Sequence, residues 1–433
     1  PAAQAERMVY RTDFDKYVLT ANFEQQGWIR ASNDEDFDLY WASVHNVRML
    51  FNPDSSGGKR LRDFQMVNHF PNHYELTRKD LMARNIKRYR REKEKQEQIV
   101  ALEVDRNSVV GPAAPRKVKP SEICPEVGIF DKLPPEWVPS TYALPNDYSL
   151  FVEEFRKNPN STWIAKPTGK AQGRGIFLVS KLQQLKKWSN ASQKVAGQAL
   201  PFREPYIISR YINDPLLVGG KKFDMRLYVL VTCYKPLKVY LYRGGFCRFC
   251  VEQYSTDIAE IDNIFVHLTN VAIQKQAEDY NERHGGKWAI ADLMLFIESS
   301  RGKAASDKLA SDMEVVIVHS LKAVQSCIVN DRHCFEMYGF DILIDSTLKP
   351  WLLEVNASPS MTTTTEDDRL LKLRLVNDVL NVAVQSKRAQ SEGAEEDPAV
   401  LGDFVCIFDE KKDQQPKVQQ REAERERWRS GSV

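Results

Sequence analysis

The alternation of apolar and polar positions divides the 433-residue chain into segments of different period. Residues 1–75 mix short strand-like and helical runs, as in NFEQQGWIRASNDEDFDLYW. LTRKDLMARNIKRYRREKEKQEQ, residues 76–98, is free of Gly and Pro and reads as a helix. Residues 105–146 carry eight prolines, too many for regular structure, and read as a loop or linker. FVEEFRKNPNSTWIAKP then predicts a short helix and a strand ending near Lys166. Several strands follow over 206–254, two helices over 289–329, and a β-hairpin over 337–356. A helix at 366–386 closes the pattern. Beyond about 387 the chain turns polar, and 411–429 holds seven basic and four acidic residues. That tail reads as disordered or as a partner-docking segment. Strands followed by helices, without strict alternation, predict an α+β fold rather than a doubly wound sheet.

The hairpin carries the first candidate chemistry. DILIDSTLKPWLLEVNASPS, residues 341–360, sets Asp341, Glu354 and Asn356 among Ile, Leu, Trp and Val. Strand alternation puts Glu354 and Asn356 on one face, and a turn between Thr347 and Leu348 sets Asp341 opposite Glu354. Facing carboxylates repel unless a cation lies between them. On an exposed face the three polar residues would need no explanation. Their apolar neighbours predict a buried strand, where an unpaired carboxylate pair is costly. An Asp–Glu–Asn oxygen set suits a hard cation, most simply Mg²⁺ that also meets phosphates.

Other stretches offer partners for phosphate. WIAKPTGKAQGRGIFLV, residues 163–179, runs from a strand bearing Lys166 into a loop with Gly169, Gly173 and Gly175. Glycines let backbone N–H groups approach phosphate oxygens. The loop matches neither a Walker A motif nor a kinase glycine loop, and no H-R-D follows. In GGKKFDMRLYVLV, residues 219–231, Lys222, Asp224, Arg226 and Tyr228 share one strand face. Phe223, Met225 and Leu227 share the other. The charged row is either a solvated ladder or a set of ribose, phosphate and carboxylate contacts. FVHLTN places His267, Thr269 and Asn270 at a pocket edge. On the 76–98 helix, Arg84, Lys87, Arg88 and Arg91 line one face, with Glu92 and Glu94 only after the cluster. Such a face invites phosphate, nucleic acid or an acidic peptide. It lacks the aromatic pattern that single-stranded nucleic acid would need.

Composition narrows the setting. A net charge of +2 with 42% hydrophobic and 28% charged residues describes a globular chain that can meet an acidic partner only through a local patch. No apolar run is long enough to cross a bilayer, and no charged-then-apolar leader stands at the N-terminus. Seven cysteines in such a chain predict reduced thiols in the cytosol. Cys247 and Cys250 form a CxxC without a second pair, which reads as two small residues in a strand pair rather than a zinc site. No Ser/His/Asp or Cys/His constellation stands out in the sequence.

Taken together, NHYELTRKDLM, WIAKP with its AQGRG loop, GGKKFDMRLYVLV, FVHLTN and PWLLEVNASPS resemble the tubulin tyrosine ligase-like family from about residue 20 to about 384. VNHFPNHYELTRKDLM, CRFC and HGGKW resemble most the branch that forms the catalytic subunit of a multi-subunit tubulin polyglutamylase. The resemblance implies an ATP-grasp-type fold with ATP between central and C-terminal lobes. The lobes would be N-terminal (1–75), central (76–205, with the basic helix and the 105–146 loop) and C-terminal (206–386), followed by the 387–433 tail. It implies ATP- and Mg²⁺-dependent ligation of free glutamate to γ-carboxylates of glutamates in tubulin C-terminal tails, through an acylphosphate. Chain elongation on α-tubulin is the implied preference.

By motif, Lys166, Gln172 and Gly173 would contact phosphates, and Ser209, Arg210, Tyr211 and Ile212 would hold adenine. Lys222 and Asp224 would hold the base and ribose, with Thr269 and Asn270 also on ATP. Asp341, Glu354 and Asn356 would hold magnesium, and Glu354 would share the catalytic role with Lys79 and Arg226. Arg248, Lys287 and Lys372 match positions for the incoming glutamate, while Arg84, Lys87, Arg88 and Arg91 would meet the tubulin tail. The implied partners are microtubules and non-catalytic complex subunits, with no nucleic acid and no membrane. The implied setting is the cytoplasm and cytoskeleton, in a ciliary axoneme or basal body. A glycylase of the same family and a non-catalytic microtubule scaffold are the competing readings.

Overall fold

A computed structural model of the chain describes residues 7–32, 37–52, 61–108, 128–185, 204–282, 286–385 and 401–413. Three sheets organise it. The first is parallel, in the order β2-β1-β3-β4, with β1 (Val9–Thr12), β2 (Ile29–Arg30), β3 (Leu39–Trp41) and β4 (Met66–Val67). The second is antiparallel, in the order β5-β8-β6-β7, with β5 (Thr141–Leu144), β6 (Trp163–Pro167), β7 (Phe177–Val179) and β8 (Tyr206–Arg210). The third contains β9 (Leu217–Val218), β10 (Lys221–Tyr234), β11 (Leu237–Phe249), β12 (Lys287–Ala289), β13 (Glu336–Ile344), β14 (Pro350–Asn356) and β15 (Phe404–Asp409). Its path is β12-β11-β10-β13-β14, with β15 beside β11 and β9 beside β10. The predicted mixture of strand-rich and helix-rich stretches is therefore realised as a mixed α and β architecture.

Period-2 patterning explains how the third sheet packs. Phe223, Met225, Leu227, Val229 and Val231 point to one side, with Phe340, Ile342, Leu352 and Val355. Helices Ile290–Arg301 and Lys303–Gln325 cover that side through Leu293, Ile297, Met313, Ile317 and Leu321. Burying each such side chain contributes roughly 1.5–3 kcal/mol, so this core dominates the fold. Tyr228, Leu230, Tyr240 and Met337 face the other way, against Leu375, Val376 and Val379 of helix Glu366–Leu380 and Phe23 and Trp41 of the N-terminal segment. Asp224 and Arg226 share this second side but lie at the sheet's end, beyond the apolar cover.

The basic helix runs further than its composition suggested, from Lys79 to Ser108. Met82, Ile86 and Tyr89 bury one stripe against the main core, with Asn85 beside them. The same i, i+3, i+4, i+7 spacing leaves Arg84, Lys87, Arg88 and Arg91 exposed on the opposite stripe. Two acids answer part of this charge, contrary to the unpaired cluster read from sequence. Glu75 approaches Arg84 at 3.9 Å, and Glu92 reaches back to Arg88 at 3.8 Å.

Three segments depart from the sequence reading. Tyr206–Arg210, read as the start of the C-terminal lobe, pairs with β5 and β6, so a boundary at 205/206 would cut a sheet. Within the proline-rich 105–146 stretch, 105–108 are helical and Thr141–Leu144 is a strand, while 109–127 lie outside the described residues. Within the 387–433 tail, Phe404–Asp409 forms β15, because its apolar Phe404 and Phe408 bury against the third sheet. Residues 387–400 and 414–433 lie outside the described residues.

Candidate active site

The hairpin β13–β14 sets two carboxylates face to face. Asp341 pairs in register with Glu354, and Gly339 with Asn356. The route there differs from a simple two-strand count. Near the tip Ile342 pairs with Leu352, and the register shifts by one residue between that pair and Asp341–Glu354. This β-bulge lets Leu352 join the core beside Ile342 while Glu354 turns to the Asp341 side. Asp345 closes the tip by accepting bonds from Thr347 N–H, Lys349 N–H and the Trp351 indole N–H, at 2.9, 3.0 and 2.9 Å.

Cations from two neighbouring strands meet these acids. Arg226 on β10 lies opposite Asp341 and donates Nε and Nη2 to it at 2.5 and 3.1 Å. Arg248 on β11 donates to Asp224 at 2.7 and 2.5 Å, and its Nη2 reaches Asp341 at 2.8 Å. Lys79, at the start of the long helix, sits 3.2 Å from Glu354. The charged row of β10 is thus a buried network and not a solvated ladder. Burial alone would raise the Asp341 pKa, but Arg226 and Arg248 outweigh it and hold the carboxyl well below the usual range.

A cleft partly open to solvent joins this network to the second sheet. Lys166 of β6 and Ser209 and Arg210 of β8 line it, as do Tyr211 and Ile212, which follow β8. Lys222, Asp224, Arg248, Thr269, Asn270, Asp341 and Glu354 line it from the other side, and Lys79 from the helix. Ile164, Ile176, Ile207, Leu268 and Leu343 form an apolar wall. In and directly beneath the cleft, Lys79, Lys166, Lys222, Arg226 and Arg248 outnumber the carboxylates of Asp224, Asp341 and Glu354. Burial pushes the ammonium groups of Lys166 and Lys222 below the ordinary lysine range. Apolar lining together with an excess of desolvated positive charge suits a flat base carrying a polyanion.

His267 has a structural part in this cleft. Its Nε2–H donates to the Glu260 carbonyl at 3.0 Å, so Nδ1 accepts from the Tyr211 hydroxyl at 3.0 Å. Lys222 Nζ completes the chain by donating to Tyr211 Oη at 2.8 Å and to the His267 carbonyl at 2.9 Å. Burial lowers the imidazole pKa, consistent with the neutral ring that this chain requires.

Gln172 and Gly173 do not line the cleft, but their loop packs against a residue that does. Both have positive φ, at 61° and 76°. A Cβ on Gly173 would lie 2.4 Å from Ile273 Cδ1 and 2.8 Å from Asn270 Oδ1. Gly173→Ala is therefore expected to shift the loop and Asn270 together. For the ATP that the resemblance implies, the expected result is a roughly tenfold rise in KM with kcat little changed. An unaltered KM would separate the loop from nucleotide binding.

The three residues predicted to bind glutamate are split. Arg248 belongs to the carboxylate network, whereas Lys287 and Lys372 converge on Asp368, at 3.0 Å each. Lys287 also donates to Thr364 Oγ1 at 3.0 Å, and Lys372 to the Thr362 carbonyl at 2.6 Å. Burial would raise Asp368, but Lys372 and Lys287 outweigh it and hold it low. Sequence reading missed Asp368, although its i, i+4 spacing to Lys372 was visible.

Magnesium fits the donors present. Two carboxylates and an amide oxygen on one hairpin face are the hard ligands that ion takes. Asn356 leans on this group, with its Nδ2 3.5 Å from Asp341 Oδ2. Among the described residues no group of three or more His, Cys, Asp or Glu is placed to hold a metal, and a cation on this hairpin would need Asn356 as its third ligand. Cys247 and Cys250 are buried apart from these acids, and burial pushes both thiols up, Cys250 to about 12. No helix among the described residues is long and apolar enough to cross a membrane.

The sequence matches an established class of protein-modifying ligases. The tubulin-tyrosine ligase family model matches residues 59–392, and the chain belongs to that family. A probable alpha-tubulin polyglutamylase, Ttll1 of Tetrahymena thermophila, is 48% identical over 422 residues, covering 96% of each chain. A probable tubulin polyglutamylase, ttll-9 of Caenorhabditis elegans, is 41% identical over 84% of this chain and 76% of its own. The human tubulin polyglutamylase TTLL5 is 32% identical over 80% of this chain, but only 23% of its own length is matched.

Proposed function

We propose that the chain is a tubulin polyglutamylase, an ATP- and magnesium-dependent ligase that joins glutamate to glutamate side chains in tubulin C-terminal tails. The observation that carries this reading is the cleft lined together by Lys79, Lys166, Lys222 and the Asp341–Glu354 pair, with Lys79 3.2 Å from Glu354 and apolar side chains beside them. The relatives' names supply the substrate class. We assign the antiparallel β5–β8 sheet to a central ATP-grasp lobe and the third sheet to the C-terminal lobe, with the nucleotide between them. Ser209, Arg210, Tyr211 and Ile212 would hold the base, and Lys222 and Asp224 the sugar.

Asp341, Glu354 and Asn356 would hold magnesium, which when bound neutralises the phosphates of ATP. Lys166 and the loop at Gln172–Gly173 would fix the phosphate chain. Lys79 and Arg226 would stabilise negative charge on the acceptor carboxylate as it is activated to an acylphosphate. No side chain needs to act as a nucleophile. Arg248, Lys287 and Lys372 would select the incoming amino acid. A donor with two carboxylates uses this set of cations more fully than glycine, which favours glutamate over the glycylase reading. Intact Lys166, Asp341 and Glu354 speak against a non-catalytic scaffold.

The exposed stripe of Arg84, Lys87, Arg88 and Arg91 begins at the residue after Ala83, which lines the cleft. It would receive the acidic tail as that tail leaves the cleft. Arg88→Glu with Arg91→Glu is expected to raise the KM for microtubules about tenfold or more, steeply with falling salt, and to leave the KM for ATP unchanged. Equal microtubule KM values for the variant and the parent would remove the stripe from tail binding. The reading also assigns the chain to α-tubulin tails, to chain elongation, to a complex with non-catalytic subunits, and to axonemal or basal-body microtubules. A ligation assay of the full chain, alone and in its native complex, with Mg-ATP, microtubules and labelled glutamate or glycine tests it. Glutamate added to tail side chains supports the proposal, glycine addition moves it to the glycylase branch, and no addition from the complex returns it to a scaffold.

A further inference from the structure

Glu336, the first residue of β13, is fully buried and takes both its partners from one short segment of the N-terminal half. Phe70 N–H donates to Oε2 at 2.8 Å, and His69 Nδ1 lies 2.6 Å from Oε1. His69 is itself buried, and its Nε2 lies 3.3 Å from Ser358 Oγ. With Nδ1–H donating to the carboxylate, Nε2 accepts from the serine hydroxyl. Residues 69, 336 and 358 are remote in sequence, which is why no Ser/His/acid set was legible there. Backbone bonds fix the same junction, since Val67 N–H donates to the His333 carbonyl and Phe335 N–H to the Val67 carbonyl.

A hydrolase uses a serine, histidine and carboxylate in this order. Here the residue after the serine is Pro359, which has no N–H to offer an oxyanion, so a nucleophilic role finds no support. The position of Ser358 suggests another use. It follows Asn356 by two residues, and among the described residues the Asn356 carboxamide has only contacts of 3.4 Å to the Gly339 carbonyl and 3.5 Å to Asp341, both from Nδ2. Those contacts lie at the outer limit of hydrogen bonding and do not fix the amide. Pro359 packs on Gly339, where an added Cβ would lie 3.2 Å from Pro359 Cβ and 3.1 Å from Arg226 Cδ. The segment leaving β14 is thus anchored just past Asn356, by Pro359 on the hairpin and by Ser358 on the buried histidine.

We propose that Glu336, His69 and Ser358 form a positioning relay that holds the Asn356 carboxamide oriented for the metal, making Ser358 and His69 positioning residues of the ligase. This rests on the magnesium reading of the hairpin. Outer partners of metal ligands commonly change metal affinity about tenfold or more when removed. Ser358 is exposed, so alanine there spares the core.

The test uses the full chain with ADP and manganese as the probe for the metal, followed by electron paramagnetic resonance. Ser358→Ala is expected to weaken manganese binding about tenfold, with metal-free ADP binding and Tm unchanged. Ser358→Thr, which keeps the hydroxyl, is expected to restore it. Unchanged manganese affinity in Ser358→Ala, or an equal loss in Ser358→Thr, would overturn the relay while leaving the nucleotide site in place. A parent chain that binds ADP but no manganese would overturn the relay and the metal site together. One that binds neither would overturn the nucleotide reading as well.

Discussion

Glu354→Gln should remove glutamate ligation while leaving the fold intact. The glutamine amide has the shape of the carboxylate, so the β14 register and the contact with Lys79 at 3.2 Å can persist in altered form. What disappears is one of the two negative charges that face each other across the hairpin. Of the two, Glu354 is the one not bound by a guanidinium among the contacts described, and it is the more solvent-accessible. On the magnesium reading, its replacement therefore takes away a charged oxygen donor without stranding a buried arginine. Losing one strong electrostatic contact at the centre of phosphoryl transfer lowers kcat by about a thousandfold. The stability change should be within about 1 kcal/mol, because Lys79 keeps partial access to water. Mass spectrometry of tubulin tails after reaction, with thermal unfolding on the same sample, checks both parts. Retention of a tenth of the parent activity would mean that Glu354 does not hold the metal.

The hairpin shows how far the residues alone carried the argument and where they stopped. Apolar neighbours and strand alternation were enough to set Asp341 against Glu354, because a one-residue slip would have buried a carboxylate in the core. The turn count worked for a different reason than assumed. The loop near Thr347 is shorter by one register step, and the bulge before Glu354 restores the opposition. A bulge leaves little trace in composition, so it could not be read. The β10 row was also legible, since Lys222, Asp224 and Arg226 alternate with core residues.

Partners that come from distant strands were out of reach. Arg248 bridges Asp224 and Asp341, Asp368 joins Lys287 to Lys372, and His69 joins Glu336 to Ser358. Each link depends on sheet order, which single-sequence periodicity does not contain. The tail illustrates the same gap. The apolar run FVCIF at 404–408 carried a strand signal inside an otherwise polar tail, but its pairing with β11 was not legible.

Asp341→Asn should behave differently from Glu354→Gln, and the contrast separates folding from chemistry. Asp341 is buried and receives three charged contacts, two from Arg226 and one from Arg248. Asparagine is nearly isosteric but neutral. Arg226 would then have no carboxylate among its described ion pairs, and Arg248 would retain only Asp224. Leaving a buried guanidinium without its partner costs about 3–5 kcal/mol, so the variant should lose both ligation and a large part of its stability. The pH dependence tests the cause. Because the arginines hold Asp341 below its ordinary pKa of 3.8, its ionised form stabilises the folded state. That contribution is complete above about pH 5 and is lost progressively as the pH falls through the unfolded-state value of 3.8 towards the depressed folded-state value. Denaturant titrations should therefore give a constant gap between parent and variant from about pH 6 to pH 8, narrowing below about pH 5. A gap of the same size on the acid side would assign the loss to packing rather than to charge. Arg226→Met added to Asp341→Asn should then recover part of the stability without recovering activity, since it removes the stranded cation but not the need for a ligand.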